Sequence, residues 1–281
     1  MSRLIFLLFA FALVACARPS PSATPGSDHP LRIVSLDFCA DQYVLKFADR
    51  EQILAVSPDA VRGFSYMRDT AIGVPSVRPI AEDVLILQPD LIIRSYGGGP
   101  NAEAFFERAG IPVLQIGWAG SIRGDDANAI PQITRDVAAG LGQAARGETV
   151  AQDYLDRLDR IAADAIGKST LYVTPSGVTT GGNSLIHKAM LAAGLENFTT
   201  RSGWHDLPLE RLAYERPDLV AAAYFDVQPD YRHGWTAARH PIAKRELAET
   251  ERVDLEGAWL GCGGWFLVEA IEALAEGAGR P

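Results

Sequence analysis

Residues 144–166, AARGETVAQDYLDRLDRIAADAI, have the pattern of one long helix. No proline or glycine interrupts the segment after Gly147. Its apolar side chains recur at helical spacing and would form one stripe: Val150, Tyr154, Leu158, Ile161 and Ala165. At about 1.5 Å per residue, such a helix would span roughly 35 Å, which is long for a globular domain. We therefore predict a single connecting helix with a folded unit on each side of it.

The same motif occurs before and after this helix. Glu82 lies seven positions before Pro89 of a Pro-Asp pair, and Glu210 lies seven positions before Pro217 of another. An apolar run too short for a helix follows each Pro-Asp pair, which predicts a short helix, a turn and a buried parallel strand. Two copies with one spacing indicate a duplicated α/β lobe.

Strand and helix patterns alternate in both halves, which is typical of parallel sheets with helices on their faces. We predict an α/β fold of two Rossmann-like lobes joined by a single long helix, with a ligand cleft between the lobes. The predicted boundaries are 31–142 for the first lobe, 143–167 for the connecting helix and 168–281 for the second lobe. The predicted strands are 32–36, 53–57, 91–94, 113–116, 170–174, 219–224 and 252–255.

The N-terminus has the features of a secretion signal. Residues 1–15 contain Arg3 and then a short apolar run, which is too short to span a bilayer. The following segment, 16–30, is rich in Pro, Ser and Gly and is predicted to be a flexible tether. Residues 13–16, LVAC, resemble a bacterial lipobox, which implies cleavage before Cys16 and its lipidation. Ordinary cleavage near Ala17 is the alternative and would release a periplasmic protein without an anchor.

The amino-acid composition argues against one class of binding partner and raises the question of a disulfide. The 281 residues carry a net charge of −9 and the chain has no basic cluster, which argues against nucleic-acid binding. The chain after the tether contains two cysteines, Cys39 and Cys262. In an oxidising periplasm these would either pair or remain two free thiols, and both outcomes are compatible with the sequence.

Candidate ligand contacts come from the ends of the predicted strands. In open α/β sheets, ligands bind outside the carboxyl ends of the strands. The side chains that we expect there are mostly aromatic: Asp37, Phe38, Phe64, Tyr66, Tyr96, Trp118, Trp204, Tyr224 and Trp259. A single aromatic residue in a loop usually covers the edge of a core. Many of them on one side of two facing lobes favour a cleft that binds a large, flat or apolar molecule.

The chain lacks the sequence signatures of several other function classes. The chain has no phosphate-binding loop, no dinucleotide glycine fingerprint and no Gly-x-Ser-x-Gly elbow, so we predict that it is not an enzyme. Its five histidines show no zinc-type spacing, which disfavours a bare metal-ion site. A lipoprotein without a transport role remains an alternative, although it leaves the aromatic strand ends unexplained.

Several of these features together resemble the periplasmic solute-binding proteins of iron-siderophore, haem and cobalamin ABC importers. The resemblance rests on the first strand, the long loop after residue 57, both Glu-to-Pro-Asp motifs and the connecting helix, and it covers residues 31–276. It implies a monomer that holds a metal chelate between its lobes, without a resident cofactor, and that contacts the membrane only through a lipid anchor. It also implies that Glu82 and Glu210 dock onto arginines of a permease dimer that works with cytoplasmic ATPases.

The cobalamin binders resemble the chain most at two places. Trp204 lies six residues before Glu210, where those proteins place a tryptophan that stacks on the ligand. Tyr96 precedes three glycines, as in their aromatic and glycine loop. Ser76 departs from the pattern, because those proteins carry a second aromatic residue six positions before the first glutamate. Haem is the alternative ligand, with an axial group from among Tyr66, Tyr96, Tyr224 and His205.

Overall fold

The computed structural model describes residues 31–117, 129–161, 167–224 and 240–279, with only the backbone described for Tyr224 and Leu247. Its strands are β1 (Ile33–Ser35), β2 (Ile53–Ala55), β3 (Leu91–Arg94), β4 (Val113–Gln115), β5 (Ser169–Val173), β6 (Val178–Thr180), β7 (Glu196–Asn197), β8 (Trp204–Asp206), β9 (Leu219–Tyr224) and β10 (Glu251–Glu256). Its α-helices are α1 (Phe38–Phe47), α2 (Ala81–Ile86), α3 (Ala102–Arg108), α4 (Ala129–Gly140), α5 (Ala144–Ile161), α6 (Leu185–Ala192), α7 (Leu209–Leu212), α8 (Pro241–Glu249) and α9 (Leu267–Gly277).

Each half of the chain forms a four-stranded sheet. The first has the strand order β2-β1-β3-β4 and the second the order β7-β5-β9-β10. All pairs in both sheets are parallel. The two sheets therefore repeat one topology, and the predicted α/β fold with two similar lobes is confirmed. The exact lobe boundaries, 31–142 and 168–281, stay predictions.

The two Pro-Asp turns make the same contacts in the two lobes. Asp90 accepts a hydrogen bond from the backbone N–H of Arg32 at 2.9 Å, and its own N–H donates to the Arg32 carbonyl at 2.8 Å. Asp218 makes the same two bonds with Ser169, at 2.9 and 2.8 Å. Each aspartate thus fixes the start of its strand against the preceding parallel strand. The repeated motif in the sequence has a structural basis in this bond pair.

Helix α5 confirms the predicted connecting helix from Ala144 to Ile161, and residues 162–166 lie outside the described part of the chain. Within it, Tyr154 and Ile161 are buried as predicted. On the side of the first lobe, α5 approaches α4 closely at Gly147, where a Cβ atom would lie 2.4 Å from that of Ala138. On the side of the second lobe, Arg157 pairs with two glutamates of α9. One helix therefore contacts both lobes.

The lobes also share one hydrophobic core. Trp265 of the second lobe packs edge-on against Tyr43 of α1, with ring centroids 5.1 Å apart, and against Phe47 at 5.6 Å. An ion pair of 2.6 Å between Arg68 and Glu256 crosses the same boundary. We call this boundary, formed by α1 and residues 64–68 on one side and residues 256–272 on the other, the interlobe seam. Its packing holds the lobes in a defined arrangement.

The N-terminal segments and membrane-spanning potential complete the description of the fold. The predicted signal peptide 1–15, the tether 16–30 and Cys16 lie outside the described residues. Among the helices that the structure does describe, none is both long and apolar enough to cross a bilayer.

Candidate functional site

An aromatic cluster lies at the carboxyl ends of three strands of the first lobe. Phe38 follows β1, Phe64 lies in the loop after β2, and Tyr96 follows β3. The ring of Phe38 is 5.0 Å from that of Phe64 and 6.2 Å from that of Tyr96, both edge-on. Tyr96 remains 49% exposed. The structure therefore brings these three predicted contacts together, with an aromatic surface open to solvent.

The second lobe reaches this cluster at Gly261. A Cβ atom at Gly261 would lie 3.3 Å from Cε2 of Phe38. The residues next to these two, Cys39 and Cys262, form a disulfide with their Cα atoms 5.3 Å apart. Of the two outcomes that the sequence allowed, the structure contains the bonded one. The cluster thus lies where the lobes meet.

Asp37 supports this cluster from below. It was predicted as a ligand contact, but it is buried, and its carboxylate faces backbone N–H groups. One oxygen caps α1 through the N–H of Ala40 at 3.0 Å. The other accepts from the N–H groups of Ser95, Tyr96 and Gly97 at 2.7, 3.0 and 2.8 Å. The structure therefore makes Asp37 a positioning residue that holds the loop carrying Tyr96.

Arg94, which the sequence analysis did not identify, binds the carbonyl groups of the same loop. Its buried guanidinium donates to the carbonyl oxygens of Gly97 at 2.7 Å and Gly99 at 3.0 Å, and to the side chain of Gln115 at 3.1 Å. An arginine as the last residue of an otherwise apolar strand was the available signal. The loop also approaches the backbone of Leu36 closely, and this requires glycine at position 97. A Cβ atom at Gly97 would lie 2.2 Å from the Leu36 carbonyl oxygen.

Tyr66 lies in the interlobe seam, in a different setting from the Phe38 cluster. Its ring stacks on Phe266 at 4.6 Å with an interplanar angle of 15°, and its hydroxyl lies 3.4 Å from Glu269. Burial, and then the charge of Glu269, raise the pKa of the Tyr66 phenol. Burial likewise raises the pKa of Tyr96, with Asp37 as the next cause. Both hydroxyls therefore remain protonated at neutral pH.

The Tyr66 hydroxyl belongs to a charged network around Arg157 of α5. Arg157 contacts Glu269 at 3.0 Å and Glu272 at 2.8 Å, both on α9. Bonds from Arg157 lower the pKa of Glu272. The network connects the first lobe, the connecting helix and the second lobe.

Trp204 lies on a short strand that is absent from the strands predicted from the sequence. It belongs to β8, which pairs antiparallel with β6 and places Trp204 opposite Thr180. β6 begins directly after a tight turn at the carboxyl end of β5, where the Thr174 N–H donates to the Val178 carbonyl at 3.0 Å. Trp204 is 58% exposed and contacts the ring of Tyr172 at 6.0 Å. It therefore presents an aromatic face at the carboxyl edge of the second sheet.

The remaining predicted contacts are Trp259, Tyr224 and Trp118. Trp259 ends a short 3₁₀ helix after β10 (Gly257–Trp259) and packs partly buried against the core. Tyr224 is the last residue of β9, but its side chain is outside the description, as is the whole of Trp118. In the described ranges, no group of three or more His, Cys, Asp and Glu side chains is arranged to hold a metal ion.

Glu82 and Glu210 occupy equivalent positions in the two lobes. Each is the second residue of the short helix before a Pro-Asp turn, in α2 and α7 respectively. Both are exposed, and neither has an ion-pair partner among the residues that the structure describes. A pocket of about 470 Å³ lies beside Glu210 and is lined by segments 199–201 and 205–211.

The chain is similar to a known protein family and to several solved structures. The family model described as periplasmic binding protein matches residues 71–224. No curated protein matches the chain. Among solved structures, a periplasmic haem-binding protein from Pseudomonas aeruginosa is 24% identical, with a TM-score of 0.65 over 88% of this chain and 92% of that one.

Two further structures show the same fold. A periplasmic haem-binding protein from Roseiflexus is 20% identical, with a TM-score of 0.65 over 89% of this chain and 100% of that one. The periplasmic vitamin B12 binding protein of Vibrio cholerae is 17% identical, with a TM-score of 0.62 over 88% of this chain and 96% of that one. At these identities the similarity establishes the fold and leaves the ligand open.

Proposed function

Because this chain belongs to the periplasmic binding protein family, we propose that it is the substrate-binding component of an ABC importer and captures a metal chelate between its lobes. It would act in the periplasm as a carrier and not as an enzyme, either anchored through a lipid on Cys16 or free after ordinary signal cleavage. It would deliver the chelate to a permease dimer in the inner membrane.

The observation that carries this proposal is the pair of exposed aromatic surfaces. The cluster of Phe38, Phe64 and Tyr96 lies at the carboxyl edge of one sheet, and Trp204 lies at the carboxyl edge of the other. Aromatic faces suit a large conjugated or apolar ligand, because burial of apolar area supplies most of the affinity for such a molecule. A cobalamin, another corrinoid or a ferric siderophore fits this description.

Haem is the second candidate. Two of the three solved structures named above are haem-binding proteins, and the half-exposed Tyr96 would supply an axial oxygen. Because the pKa of the Tyr96 phenol is raised, the iron itself would have to displace the proton. That requirement gives haem a specific test, since a Tyr96→Phe variant would lose the iron–oxygen bond while it keeps the ring.

Titration with a panel of chelates tests the proposal. Tryptophan fluorescence, to which the exposed Trp204 contributes, would be followed on addition of cyanocobalamin, haemin, a ferric hydroxamate and a ferric catecholate. We expect saturable, one-to-one quenching by one class and recovery of that chelate unchanged. If no class binds, or if the chelate is converted chemically, the carrier proposal is wrong. For haemin, loss of the bound absorbance spectrum in Tyr96→Phe would identify the axial ligand.

The proposal includes docking through Glu82 and Glu210. Two exposed carboxylates at a fixed separation can contact two permease arginines at once, and simultaneous contact raises the effective concentration of the second pair. Replacement of both with alanine should leave chelate affinity unchanged and reduce uptake into cells that contain the importer. If the double variant loses chelate binding but still binds the permease, the glutamates belong to the cleft instead.

A further inference from the structure

Each of the two glutamates is followed, one helical turn later, by an exposed apolar side chain. Ile86 lies four positions after Glu82 and is 79% exposed, and Tyr214 lies four positions after Glu210 and is 91% exposed. Residues four apart lie on the same face of a helix. Each lobe therefore presents a carboxylate and an apolar side chain next to each other.

Local geometry supports this orientation in both lobes. Helical hydrogen bonding continues beyond the end of α7, because the Glu215 N–H donates to the Arg211 carbonyl at 2.8 Å. Two positions after each glutamate, Val84 and Leu212 are buried. They define the core-facing side of each turn, so the glutamate and the apolar residue point away from the core.

The surrounding charges leave these two glutamates available. Asp83 pairs with Arg78 at 2.6 Å, and Arg211 pairs with Glu215 at 2.6 Å. Each neighbouring arginine is thus bound to another acid. Glu82 and Glu210 have no such partner within the described ranges, and the pocket beside Glu210 has room for an incoming side chain.

We infer that Ile86 and Tyr214 form the apolar half of the surface that docks onto the permease. A single exposed apolar side chain is ordinary. Two of them lie at equivalent points of a duplicated motif, and their high exposure means that folding buries little of either side chain. An exposed ion pair alone contributes little binding free energy. An apolar contact beside the ion pair adds binding free energy and strengthens the pair by excluding water from it.

The partner that fits is therefore a protein surface with two cations, each beside an apolar side chain or a shallow apolar depression. This inference rests on the proposed function, because it places the permease at the two glutamates. We call Glu82 with Ile86, and Glu210 with Tyr214, the two docking patches.

The test measures binding to the permease–ATPase complex that takes up this protein's ligand, held in lipid nanodiscs. The variants are Ile86→Ala, Tyr214→Ala, their double variant, and the double variant Glu82→Ala with Glu210→Ala. Two matched controls remove exposed apolar side chains outside the patches: Ile72→Ala, in the segment between β2 and α2, and Leu191→Ala, on α6. Ile72 is 74% exposed and Leu191 is 54% exposed. Fluorescence titration with the bound chelate checks that every variant keeps its ligand site.

We expect Ile86→Ala and Tyr214→Ala each to weaken docking by about tenfold, the scale of a contributing interface side chain. The controls should dock as the wild type does, and chelate affinity should not change. If the glutamate double variant loses docking while Ile86→Ala and Tyr214→Ala keep it, the inference is overturned and the proposed function stands. If the glutamate variant also docks normally, the docking premise itself fails. A wild-type dimer that dissociates in the Ile86→Ala and Tyr214→Ala double variant would assign the patches to a second copy of this chain, and would also overturn the inference.

Discussion

Cys39 in the first lobe is bonded to Cys262 in the second, across a sequence separation of 223 residues. Each cysteine adjoins a residue of the contact between the lobes, because Phe38 precedes Cys39 and Gly261 precedes Cys262. The cross-link therefore holds the floor of the proposed cleft as well as the lobes. The same boundary also contains the Tyr43–Trp265 and Tyr66–Phe266 contacts.

Removal of the disulfide should lower the stability of the whole chain. Replacing Cys39 and Cys262 with serine removes a cross-link that closes a long loop, which typically costs about 2–5 kcal/mol of unfolding free energy. Urea denaturation of the variant and of the oxidised wild type measures this difference. The wild type treated with reductant is the control and should behave as the variant does. Equal stability of the oxidised wild type and the variant would contradict the prediction, and an oxidised mass lighter by two hydrogens verifies the bond itself.

A side chain at Gly261 should interfere with the aromatic cluster. Gly261 has φ outside the left-handed region, so its backbone accepts other residues, and the first atom added would lie 3.3 Å from Phe38. Gly261→Ala requires a shift of a few tenths of an ångström, whereas Gly261→Val would displace the ring. We expect the valine variant to bind the chelate at least about tenfold more weakly. The alanine variant is the matched control and should bind nearly as well as the wild type. Equal affinities for all three proteins would exclude Phe38 from the site.

Trp204 should contribute directly to chelate affinity. Trp204→Ala removes an exposed aromatic face, so binding should weaken by about 1–3 kcal/mol, as measured by equilibrium titration. Because the side chain is 58% exposed, the unfolding free energy should fall by less than about 1 kcal/mol. Trp204→Phe keeps an aromatic face and should retain much of the affinity. An alanine variant with wild-type affinity would remove Trp204 from the ligand site.

The buried Asp41 should make stability depend on pH. Its carboxylate accepts from the Ser57 N–H at 3.0 Å and contacts the Ser57 hydroxyl at 2.6 Å. Burial raises the pKa of Asp41 from 3.8 to about 7, although bonds from Ser35 and Ser57 act in the opposite direction. The folded protein therefore binds this proton more tightly than the unfolded chain. The stability that the proton supplies is complete below about pH 4 and is lost as the pH rises to about 7.

Asp41→Asn should remove this dependence, because asparagine resembles the protonated acid and does not titrate. Relative to the wild type, the variant should gain unfolding free energy between about pH 4 and about pH 8, by an amount on the order of a few kcal/mol. Urea denaturation across this range measures the difference. Asp59→Asn, on the exposed loop that follows, is the control, because it makes the same substitution at an exposed carboxylate. A constant difference between Asp41→Asn and the wild type would contradict the assignment.

Local patterns in the sequence predicted most of the fold. The bounds of β3 and β9 agree with the prediction, because each is a continuous apolar run that begins at a Pro-Asp turn. The duplication was also visible in the sequence as two Pro-Asp pairs. Each aspartate is needed at that place because it bonds to the start of a neighbouring strand in its own lobe. The equivalent positions of Glu82 and Glu210 in the two lobes could be predicted for the same reason.

Short paired strands escaped prediction. β6 and β8 have three residues each, and they pair across an intervening helix and strand. Unlike β1, β2 and β4, which are equally short, these two segments read VTT and WHD and contain no apolar run. Their pairing also depends on how the segment between them folds. The strand position of Trp204 therefore required the structure.

The amino-acid sequence by itself determined the longer helices, the apolar strands of the two parallel sheets and the repetition of one lobe in the other. These features depend on neighbouring residues and local burial. Only the tertiary structure decided which residues meet. It buried Asp37 beneath the Tyr96 loop, moved Tyr66 into the interlobe seam, and brought Cys39 to Cys262. Such contacts join residues far apart in the chain, and the packing of the two lobes, which no local pattern encodes, sets their distances.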